Sequence, residues 1–414
     1  MNARVHVVGA GLAGLAAALS LVEAGRPVTL YEAGAAAGGR CRSYFDRALG
    51  LTIDNGNHLL LSGNHAAFAY LAEIGGAGAL AGPSEPMFPF LDLRDGARWV
   101  VRPNRGRLPW WVLSAHRRVP GTRAVDYVRL LNLRSVADDR GVTEAVRNGP
   151  LYERLVAPLA IAALNTQPDT GLARLLGAVV RDTLMQGGAA CLPRFPRAGL
   201  SVAFVEPALA RLTARGSIIR LGKRVAALTI ADNRATALHL VNEDVPLGTD
   251  ESVILAVPPW IATDLLAGLS APDVFEAILN VHFRLTADPG PAGFIGLIGG
   301  TAEWVFVKDD HVSVTISAAN RLLDTPAETL VAAVWPEVRA ALDLDAIPMP
   351  PWRVVKERRA TFAATAAQER RRPGPRVGLA NLALAGDWTA TGLPATIEGA
   401  IRSGRRAAQV ILVA

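Results

Sequence analysis

Three glycines near the N-terminus have the spacing of a phosphate-binding turn. The stretch Gly9-Ala10-Gly11-Leu12-Ala13-Gly14 follows a β-branched run, Val5 to Val8, and reads G-x-G-x-x-G. In this pattern the first glycine permits a tight turn, the second admits a pyrophosphate to the backbone, and the third lets helix and strand pack closely. Glu32 lies 21 positions past Gly11, where a carboxylate would bind an adenosine ribose hydroxyl. The stretch therefore predicts a dinucleotide site at a helix N-terminus, where free N–H groups and the helix dipole favour phosphate.

Polar residues after the second apolar run, Val28 to Tyr31, extend this site. Gly38-Gly39-Arg40 follows that run, and a glycine pair before an arginine suits a loop that meets an anionic group. Further on, Asp54-Asn55-Gly56-Asn57-His58 lies between two apolar segments. We expect these polar side chains to lie near a cofactor ring.

A second chemical signal lies at the C-terminus. The apolar run Asn381 to Ala385 ends in Gly386-Asp387, whose carboxylate can accept hydrogen bonds from a ribityl chain or reach pyrophosphate through water. The helix that begins near Ile397 can stabilise negative charge at N1 and O2 of a reduced flavin. An NAD enzyme has no use for this terminal strand, carboxylate and helix, whereas FAD uses both ends of the chain. We therefore predict FAD as the cofactor.

The elements that must position these residues form an interrupted nucleotide-binding fold. We predict an α/β protein with a Rossmann-like FAD-binding domain, interrupted by a helix-rich and a β-containing substrate-domain insertion. The FAD-binding parts are expected at 1–62, 195–260 and 376–414. The substrate-domain parts are expected at 63–194, mostly helical, and 261–375, a sheet with helices.

Apolar periodicity gives the main elements between these motifs. The pattern predicts helices at about 124–131, 150–165, 174–185, 202–214, 327–342 and 397–410. It predicts strands at about 217–221, 225–230, 236–241, 252–257, 294–298, 304–307, 312–317 and 352–356.

Composition restricts the class of protein. The chain has 414 residues, half of them hydrophobic, which predicts two or three globular domains with a substantial core. No window reaches the roughly 18 apolar residues of a membrane span, and the N-terminus already encodes a strand and a turn instead of a secretion signal. The two cysteines, Cys41 and Cys191, are too few for a disulfide framework. We therefore expect a cytoplasmic protein without a metal site.

The formal charge of +6 is not evidence for nucleic-acid binding. Only three of the 43 basic residues are lysines, and the arginines are scattered instead of being concentrated on one element with interleaved aromatic residues. Solvated arginines explain most of this charge. Attraction to an anionic membrane surface is a minor alternative.

Several stretches of the chain carry a family resemblance. They are Asp54 to Leu61, Leu164-Asn165-Thr166, Ala173 to Leu176, Lys356 to Phe362 and, the most specific, Ala385 to Ala400. With these stretches nearly the whole chain resembles the phytoene desaturase and amine oxidase superfamily of FAD proteins. Within it, the chain is most similar to the squalene-associated FAD-dependent desaturases, the hydroxysqualene dehydroxylases of bacterial squalene and hopanoid biosynthesis.

This resemblance implies which residues hold the cofactor. Pyrophosphate contacts are implied for the glycine turn, adenosine contacts for the end of the second strand, and flavin contacts for the C-terminal loop. The implied residues are Gly9, Gly11, Leu12, Ala13, Gly14, Glu32, Ala33, Gly39, Arg40, Asn57, Val225, Gly386, Asp387, Ala395, Thr396 and Ile397. The family more often has glutamine where this chain has Asn57. No cysteine lies near the terminal motif, so we expect FAD to be bound non-covalently.

The resemblance also implies a reaction, the reduction of hydroxysqualene to squalene. Hydride from reduced flavin would replace an allylic hydroxyl, and the protein would desolvate the polyene and protonate the leaving oxygen. Our candidates for the proton or hydrogen-bond donor are His58 and Asp54, followed by Lys356 and Arg359. The apolar insertions would form a tunnel, and a peripheral contact with the inner face of the cytoplasmic membrane would deliver the lipid. The sequence does not indicate the electron donor.

Two other functions use the same scaffold. An FAD-dependent polyene desaturase or amine oxidase would run in the oxidative direction, and an amine oxidase would need an aromatic cage beside the flavin. A prenyl-lipid carrier similar to the Rab-escort and GDP-dissociation-inhibitor proteins shares the fold without using flavin. A carrier has no need for Glu32 and Asp387 together, and a yellow colour on purification would distinguish an enzyme from a carrier.

Overall fold

The computed structural model describes residues 3–134 and 139–413. The strands in this part of the chain are β1 (Val5–Val8), β2 (Val28–Tyr31), β3 (Ser43–Asp46), β4 (Leu51–Asp54), β5 (Leu60–Leu61), β6 (Leu80–Ala81), β7 (Phe88–Asp92), β8 (Arg98–Val101), β9 (Pro193–Pro196), β10 (Ile218–Arg220), β11 (Val225–Ala231), β12 (Arg234–Leu240), β13 (Glu243–Pro246), β14 (Ser252–Leu255), β15 (Phe275–Phe283), β16 (Phe294–Ile298), β17 (Trp304–Val307), β18 (Val312–Ile316), β19 (Trp352–Phe362) and β20 (Leu382–Leu384).

The α-helices are α1 (Leu12–Glu23), α2 (His65–Ile74), α3 (Val142–Val146), α4 (Ala157–Leu164), α5 (Ala173–Asp182), α6 (Glu206–Ala214), α7 (Pro259–Leu265), α8 (Ala327–Ala341), α9 (Ala366–Arg370) and α10 (Ile397–Leu412). Short 3-10 helices occupy Ala77–Ala79, Trp110–Leu113, Ala124–Arg134, Leu184–Gln186, Gly188–Ala190 and Ala319–Leu322. Two π-helical turns, Tyr152–Val156 and Ser201–Val205, lead directly into α4 and α6.

A five-stranded parallel sheet, in the order β10-β2-β1-β14-β20, forms the nucleotide-binding part. Its strands come from the beginning, the middle and the end of the chain. Helices α1 and α10 pack against each other in the core beside this sheet. A Cβ at Gly404 of α10 would lie 2.1 Å from the carbonyl oxygen of Ala13, so the two helices meet at backbone distance. A three-stranded antiparallel sheet, β11-β12-β13, adjoins this part.

A seven-stranded mixed sheet, in the order β19-β15-β18-β17-β16-β7-β8, forms the second part. Alternating residues of its strands enter two different cores. One core contains Val305 and Val314 with the apolar face of α8, and the other contains Phe294 and Phe306 with residues of the helical stretch 142–180. The stretch 63–194, which we predict as mostly helical, contributes β7 and β8 to this sheet.

Five segments differ from the pattern-based expectations. Strand β15 lies where no strand is predicted, because its buried polar residues interrupt the apolar pattern. Strand β19 continues to Phe362, well beyond the expected end at 356. The helices expected at 150–165 and 202–214 begin as π-helical turns, and the one expected at 124–131 is a 3-10 helix. Among the described residues, no helix has the length and apolar character needed to cross a membrane.

Candidate active site

The glycine turn at residues 9–14 leaves an open space at the start of α1, which we call the cradle. Gly9 has φ of +105°, and a Cβ there would lie 2.4 Å from the carbonyl oxygen of Ala256. A Cβ at Gly14 would lie 1.9 Å from the carbonyl oxygen of Gly9, so Gly14 keeps helix and turn in contact. At Gly11, by contrast, no heavy atom of the described residues lies within 4 Å of an added Cβ, apart from its own neighbours in the chain. The backbone at Gly11 faces open space, as a pyrophosphate site requires.

The first turn of α1 offers free donors to this cradle. Gly11 is the N-cap residue, and neither a capping side chain nor an acidic side chain satisfies the N–H groups that begin at Leu12 and Ala13. The N–H of Gly38 donates to the carbonyl oxygen of Ala10 at 2.8 Å. This bond holds the second glycine loop beside the turn, and a Cβ at Gly39 would lie 3.3 Å from Cα of Gly11. Both loops are thus narrow enough for backbone to contact an anion.

Glu32 lies at the adenosine end of the cradle. Its Oε2 accepts from the N–H of Ala10 at 2.9 Å, and its Oε1 accepts from the N–H of Gly34 at 2.8 Å, so Ala33 is held between two fixed residues. The N–H of Lys223 donates to the carbonyl oxygen of Glu32 at 2.8 Å. This bond brings the start of β11, with the buried Val225, to the same place.

Arg40 and Asp387 meet where the first and last segments of the chain come together. The Arg40 Nη2 atom donates to both carboxylate oxygens of Asp387, and Arg40 Nη1 donates to the carbonyl oxygen of Ala360. Gly386 has φ of +150°, and a Cβ there would lie 2.4 Å from Nε1 of Trp388. Glycine at this position is what lets the chain turn from β20 into the loop that carries Asp387.

The start of α10 has the form expected for the flavin end. The Thr396 hydroxyl accepts from the N–H of Gly399 at 3.0 Å, so the threonine caps the helix while the first-turn N–H groups at Ile397 and Glu398 point out of it. Ala395 precedes this cap. The helix dipole therefore presents positive charge at the end of the cradle.

Arg372 fixes the loop that leads to α10, and sequence reasoning missed it. Its side chain is fully buried. It donates to the carbonyl oxygens of Asp387 at 3.0 Å, Thr389 at 2.9 Å and Leu393 at 2.8 Å, and pairs with Glu369 at 2.7 Å. A buried guanidinium that binds three carbonyls sets the loop's path. The run Arg370-Arg371-Arg372 reads as a solvated cluster in the sequence, which hides this role.

Asp54 forms a buried ion pair with Lys308. The Lys308 ammonium donates to Asp54 Oδ2, and the two side chains are 5% and 2% exposed. Oδ1 of Asp54 accepts from the hydroxyl of Ser43 at 2.7 Å and from the N–H of Leu200 at 2.8 Å. Burial raises the pKa of Asp54, but the lysine and these hydrogen bonds outweigh burial and hold it below its ordinary value. Asp54 is thus built to stay ionised, which makes it a poor proton donor.

His58 follows this ion pair and is half-buried. Within the described residues its ring makes no hydrogen bond. Burial lowers the pKa of His58 to about 4, opposed by the Asp54 carboxylate and reinforced by the charges of Arg40 and Lys308. The imidazole is therefore neutral at pH 7, with one nitrogen able to donate and the other to accept.

Asn57 begins a buried polar network that crosses the seven-stranded sheet. Its Nδ2 donates to the hydroxyls of Ser313 at 2.7 Å and Thr315 at 3.0 Å. Ser313 Oγ in turn lies 3.0 Å from Nδ1 of His282. The Thr315 hydroxyl donates to Oδ1 of Asn280 at 3.0 Å. Strands β15 and β18 supply this network, so the sheet of the second part reaches the cradle of the first.

Three buried atoms of this region have no hydrogen-bond partner in the described structure. They are Oδ1 of Asn57, Nε2 of His282 and Nε2 of His311, and the two histidine rings lie 5.6 Å apart. An unpartnered buried polar atom costs about 1–3 kcal/mol, so such a cluster indicates a place where a polar ligand group or a water completes the bonding.

The structure places the other two catalytic candidates elsewhere. The Lys356 ammonium donates to the carbonyl oxygens of Leu323 at 2.8 Å and Thr325 at 2.6 Å, which ties β19 to the segment before α8. The guanidinium of Arg359 lies over the ring of Trp260, 4.7 Å from its centre. Both residues have structural contacts, and neither joins the network around Asn57.

Sequence reasoning also missed Lys308, Asn280, His282 and His311. Lys308 precedes two aspartates and reads as part of a solvated turn. One signal in the sequence could have found Asn280 and His282, because both are polar residues inside the largely apolar run 275–283. If such a run is a buried strand, its polar side chains are expected to be buried and hydrogen-bonded.

Known proteins with similar sequences agree with a flavin site of this geometry. The family model described as flavin containing amine oxidoreductase matches residues 12–287 and 308–412. The chain is 51% identical over 416 residues to a hydroxysqualene dehydroxylase from Rhodopseudomonas palustris, covering 100% of this chain and 99% of the relative. The chain belongs to the hydroxysqualene dehydroxylases, within the flavin-containing amine oxidoreductases. A hydroxysqualene dehydroxylase from Sinorhizobium fredii is 48% identical over 413 residues, with 100% and 99% coverage.

Solved structures support the same fold. A double mutant of putrescine oxidase superposes with a TM-score of 0.72 at 15% identity and covers 100% of both chains. Membership of the hydroxysqualene dehydroxylases confirms the predicted family and the FAD-binding fold, and makes the chain a flavin-dependent oxidoreductase. The open cradle at Gly11, the uncapped first turn of α1 and the N–H groups at Ile397 and Glu398 in the first turn of α10 fit such a cofactor, because they offer donors at both of its ends.

Proposed function

We propose that this chain reduces hydroxysqualene to squalene with non-covalently bound FAD. The observation that carries the proposal is the 51% identity, over the full length of both chains, to an enzyme named hydroxysqualene dehydroxylase. The geometry supports it, since the cradle, the Arg40–Asp387 pair and the start of α10 line up the groups that FAD needs.

Non-covalent binding agrees with the position of the cysteines. Cys41 and Cys191 are both buried, at 5% and 2% exposure. Burial raises the pKa of Cys191 to about 12 and also raises that of Cys41. Both thiols are buried and protonated at neutral pH, and neither belongs to the loop around Asp387 or to α10, where the flavin ring is expected.

In the proposed reaction one carbon–oxygen bond breaks and one carbon–hydrogen bond forms. Bound FAD in its reduced form would supply a hydride to the allylic carbon. The hydroxyl leaves as water, so one proton must also reach it, which solvent or the second hydrogen of the two-electron-reduced cofactor can provide, while the protein donates a hydrogen bond to the leaving oxygen. We assign the hydrogen bond to the N–H of His58, because its ring is neutral and half-buried and has no hydrogen-bond partner among the described residues.

The Asp54–Lys308 pair has a different task in this proposal. Its charges compensate each other in the buried site, and the hydrogen bonds from Ser43 and Leu200 fix the carboxylate. The segment 54–58 is thereby held in one position, which sets where His58 lies. The unpartnered Oδ1 of Asn57, next to His58 in the chain, provides a further polar group for the leaving water.

An anaerobic single turnover tests the proposal. The purified flavoprotein is reduced and mixed with hydroxysqualene, and flavin oxidation and squalene formation are followed together. Stoichiometric oxidation with squalene appearing supports the dehydroxylase. A flavin that stays reduced contradicts it, and the oxidised protein is then assayed with polyenes and amines. A colourless protein that cannot be loaded with FAD would favour a lipid carrier.

A further inference from the structure

One surface of the molecule concentrates exposed apolar side chains. Six large apolar residues between positions 108 and 131 are 50–81% exposed. We call them the apolar ridge: Leu108, Trp110, Leu113, Val125, Val128 and Leu131. No other stretch of similar length in the described chain carries as many.

The ridge follows from the geometry of two 3-10 helices, Trp110–Leu113 and Ala124–Arg134. In a 3-10 helix residues three positions apart lie directly above one another. Val125, Val128 and Leu131 therefore form one stripe, and it is exposed, whereas Tyr127 of the neighbouring stripe is buried. The ring of Tyr127 packs edge-on against Trp111 with 5.1 Å between the centres. This contact holds the two helices together with their apolar stripes outward.

The same segment is strongly basic. Residues 102–133 contain one acidic residue, Asp126, and seven arginines: Arg102, Arg105, Arg107, Arg117, Arg118, Arg123 and Arg129. In the described part of the chain none of these arginines forms an ion pair, and five of them are exposed. Arg117 lies over the ring of Trp110, 4.8 Å from its centre. Such uncompensated positive charge beside exposed apolar groups predicts a partner that is both anionic and apolar.

We propose that the apolar ridge and its arginines bind the surface of an anionic phospholipid bilayer. Apolar side chains gain free energy by entering the acyl boundary while arginines stay at the headgroups, and each basic residue near an anionic surface adds about 1 kcal/mol. A second copy of this chain fits the ridge less well, because it would place seven arginines against seven others. The inference deepens the proposed function, since an isoprenoid substrate partitions into the bilayer.

Flotation of the FAD-loaded protein with vesicles tests this binding. We expect little binding to phosphatidylcholine alone, and clear binding when roughly 30% phosphatidylglycerol is added. About 0.5 M salt should weaken it, because the charges are screened. Absence of binding to both vesicle types would overturn the proposal, and a dimer detected by light scattering would assign the ridge to a second copy instead.

Two sets of variants locate the binding surface. The triple variant Leu108→Gln/Leu113→Gln/Val128→Gln should lower vesicle partitioning at least about tenfold. Its matched control changes three apolar residues elsewhere that are 51–69% exposed, Val241→Gln/Val274→Gln/Val413→Gln, and should bind as the wild type does. If the control loses binding and the ridge variant does not, the ridge is not the docking surface.

Charge reversal separates the electrostatic contribution. Arg105→Glu/Arg107→Glu should abolish the preference for phosphatidylglycerol, whereas the control Arg376→Glu/Arg406→Glu, on other exposed arginines, should keep most of it. An equal loss in both would mean that net charge alone drives binding, and would overturn the assignment.

Activity on detergent-solubilised hydroxysqualene keeps this inference distinct from the proposed reaction. Ridge variants should turn over solubilised substrate at the wild-type rate and lose turnover only for substrate presented in vesicles. If the protein bound vesicles through the ridge but never produced squalene, the proposed reaction would be contradicted and the proposed docking surface would still be supported.

Discussion

The Arg40 Nη2 atom lies 2.7 Å and 2.6 Å from the two carboxylate oxygens of Asp387, a residue 347 positions further along the chain. The Asp387 side chain is 7% exposed, and the Arg40 side chain is 44% exposed. Because the partner is buried, the exposed part of the Arg40 side chain has a fixed direction. It remains free to contact a phosphate or the ribityl chain while the pair is intact.

Asp387→Asn should weaken FAD binding about tenfold, because Arg40 then loses the charge that orients it. Titration of the apoprotein with FAD, followed by flavin fluorescence, measures the change in Kd. Asp309→Asn is the matched control, since its pair with Arg197 is about 60% exposed on both sides. Equal Kd values for Asp387→Asn and wild type would show that the pair does not serve the cofactor.

Gly11→Ala and Gly14→Ala should fail in different ways. The added Cβ at position 11 meets open space in the protein, so Gly11→Ala should fold normally but bind FAD at least about tenfold more weakly. The Cβ at position 14 would meet the carbonyl oxygen of Gly9 at 1.9 Å, so Gly14→Ala should lose about 2 kcal/mol or more in the free energy of unfolding. Urea unfolding of both apoproteins and FAD titration separate the two effects. A Gly11→Ala protein with normal affinity would place the pyrophosphate elsewhere.

Lys308→Met should be strongly destabilising, because it leaves the Asp54 carboxylate buried without its cation. We expect a loss of about 3–5 kcal/mol in the free energy of unfolding. The double variant Asp54→Asn/Lys308→Met, which removes both charges, should recover more than half of that loss. Urea unfolding of the wild type, Asp54→Asn, Lys308→Met and the double variant gives the coupling energy directly. A double variant no more stable than Lys308→Met would mean that the lysine stabilises the fold by packing and not by charge.

His58→Phe should slow squalene formation in a single turnover about 100-fold, since the leaving hydroxyl loses its hydrogen bond. The flavin spectrum should stay unchanged. Because the pKa of His58 is lowered to about 4, its protonation should not alter the wild-type rate between pH 5.5 and 8. Lys356→Met is the control: it should keep the rate and lower only the melting temperature, as its ammonium binds two carbonyl oxygens. If Lys356→Met slowed squalene formation and His58→Phe did not, Lys356 and not His58 would be the hydrogen-bond donor.

His282 should make stability depend on pH. Burial, with His311 and Lys308, lowers its pKa in the folded protein to about 3 from an ordinary value of 6.5. Between these values the unfolded chain binds the additional proton, so this contribution to stability is complete above pH 6.5 and is lost as the pH falls. From pH 6.5 to 4.5 the wild type should lose about 2 kcal/mol more than His282→Asn. Urea unfolding at both pH values measures the difference, and parallel curves would contradict it.

The sequence predicted regular elements well wherever apolar periodicity was uninterrupted. Strands β16 and β17 have the expected bounds, and α8 ends within one residue of the prediction. Strand β15 was not predicted because Asn280 and His282 are polar, and their burial depends on a hydrogen-bond network formed with β18. Local pattern carries no information about partners of that kind.

For the candidate site, the glycine turn and the C-terminal loop were predictable because both are local backbone devices. The Asp54–Lys308 pair was not, since 254 positions separate its members and a lysine before two aspartates is typical of a solvated turn. The apolar ridge was not predictable for a different reason. Its exposed stripe at Val125, Val128 and Leu131 can be recognised only when the segment is known to be a 3-10 helix, with its three-residue repeat.

The order β10-β2-β1-β14-β20 has a consequence for biosynthesis on the ribosome. Helix α1 is made among the first residues, but its close neighbour across Gly404 is made among the last. Until α10 has been synthesised, the apolar side of α1 has no α10 to cover it, and apolar surface that is transiently exposed in this way favours aggregation. The glycine turn and the loop around Asp387 thus come together only after α10 has been made, so a chain truncated before β20 should expose the apolar side of α1 and lack the C-terminal part of the site.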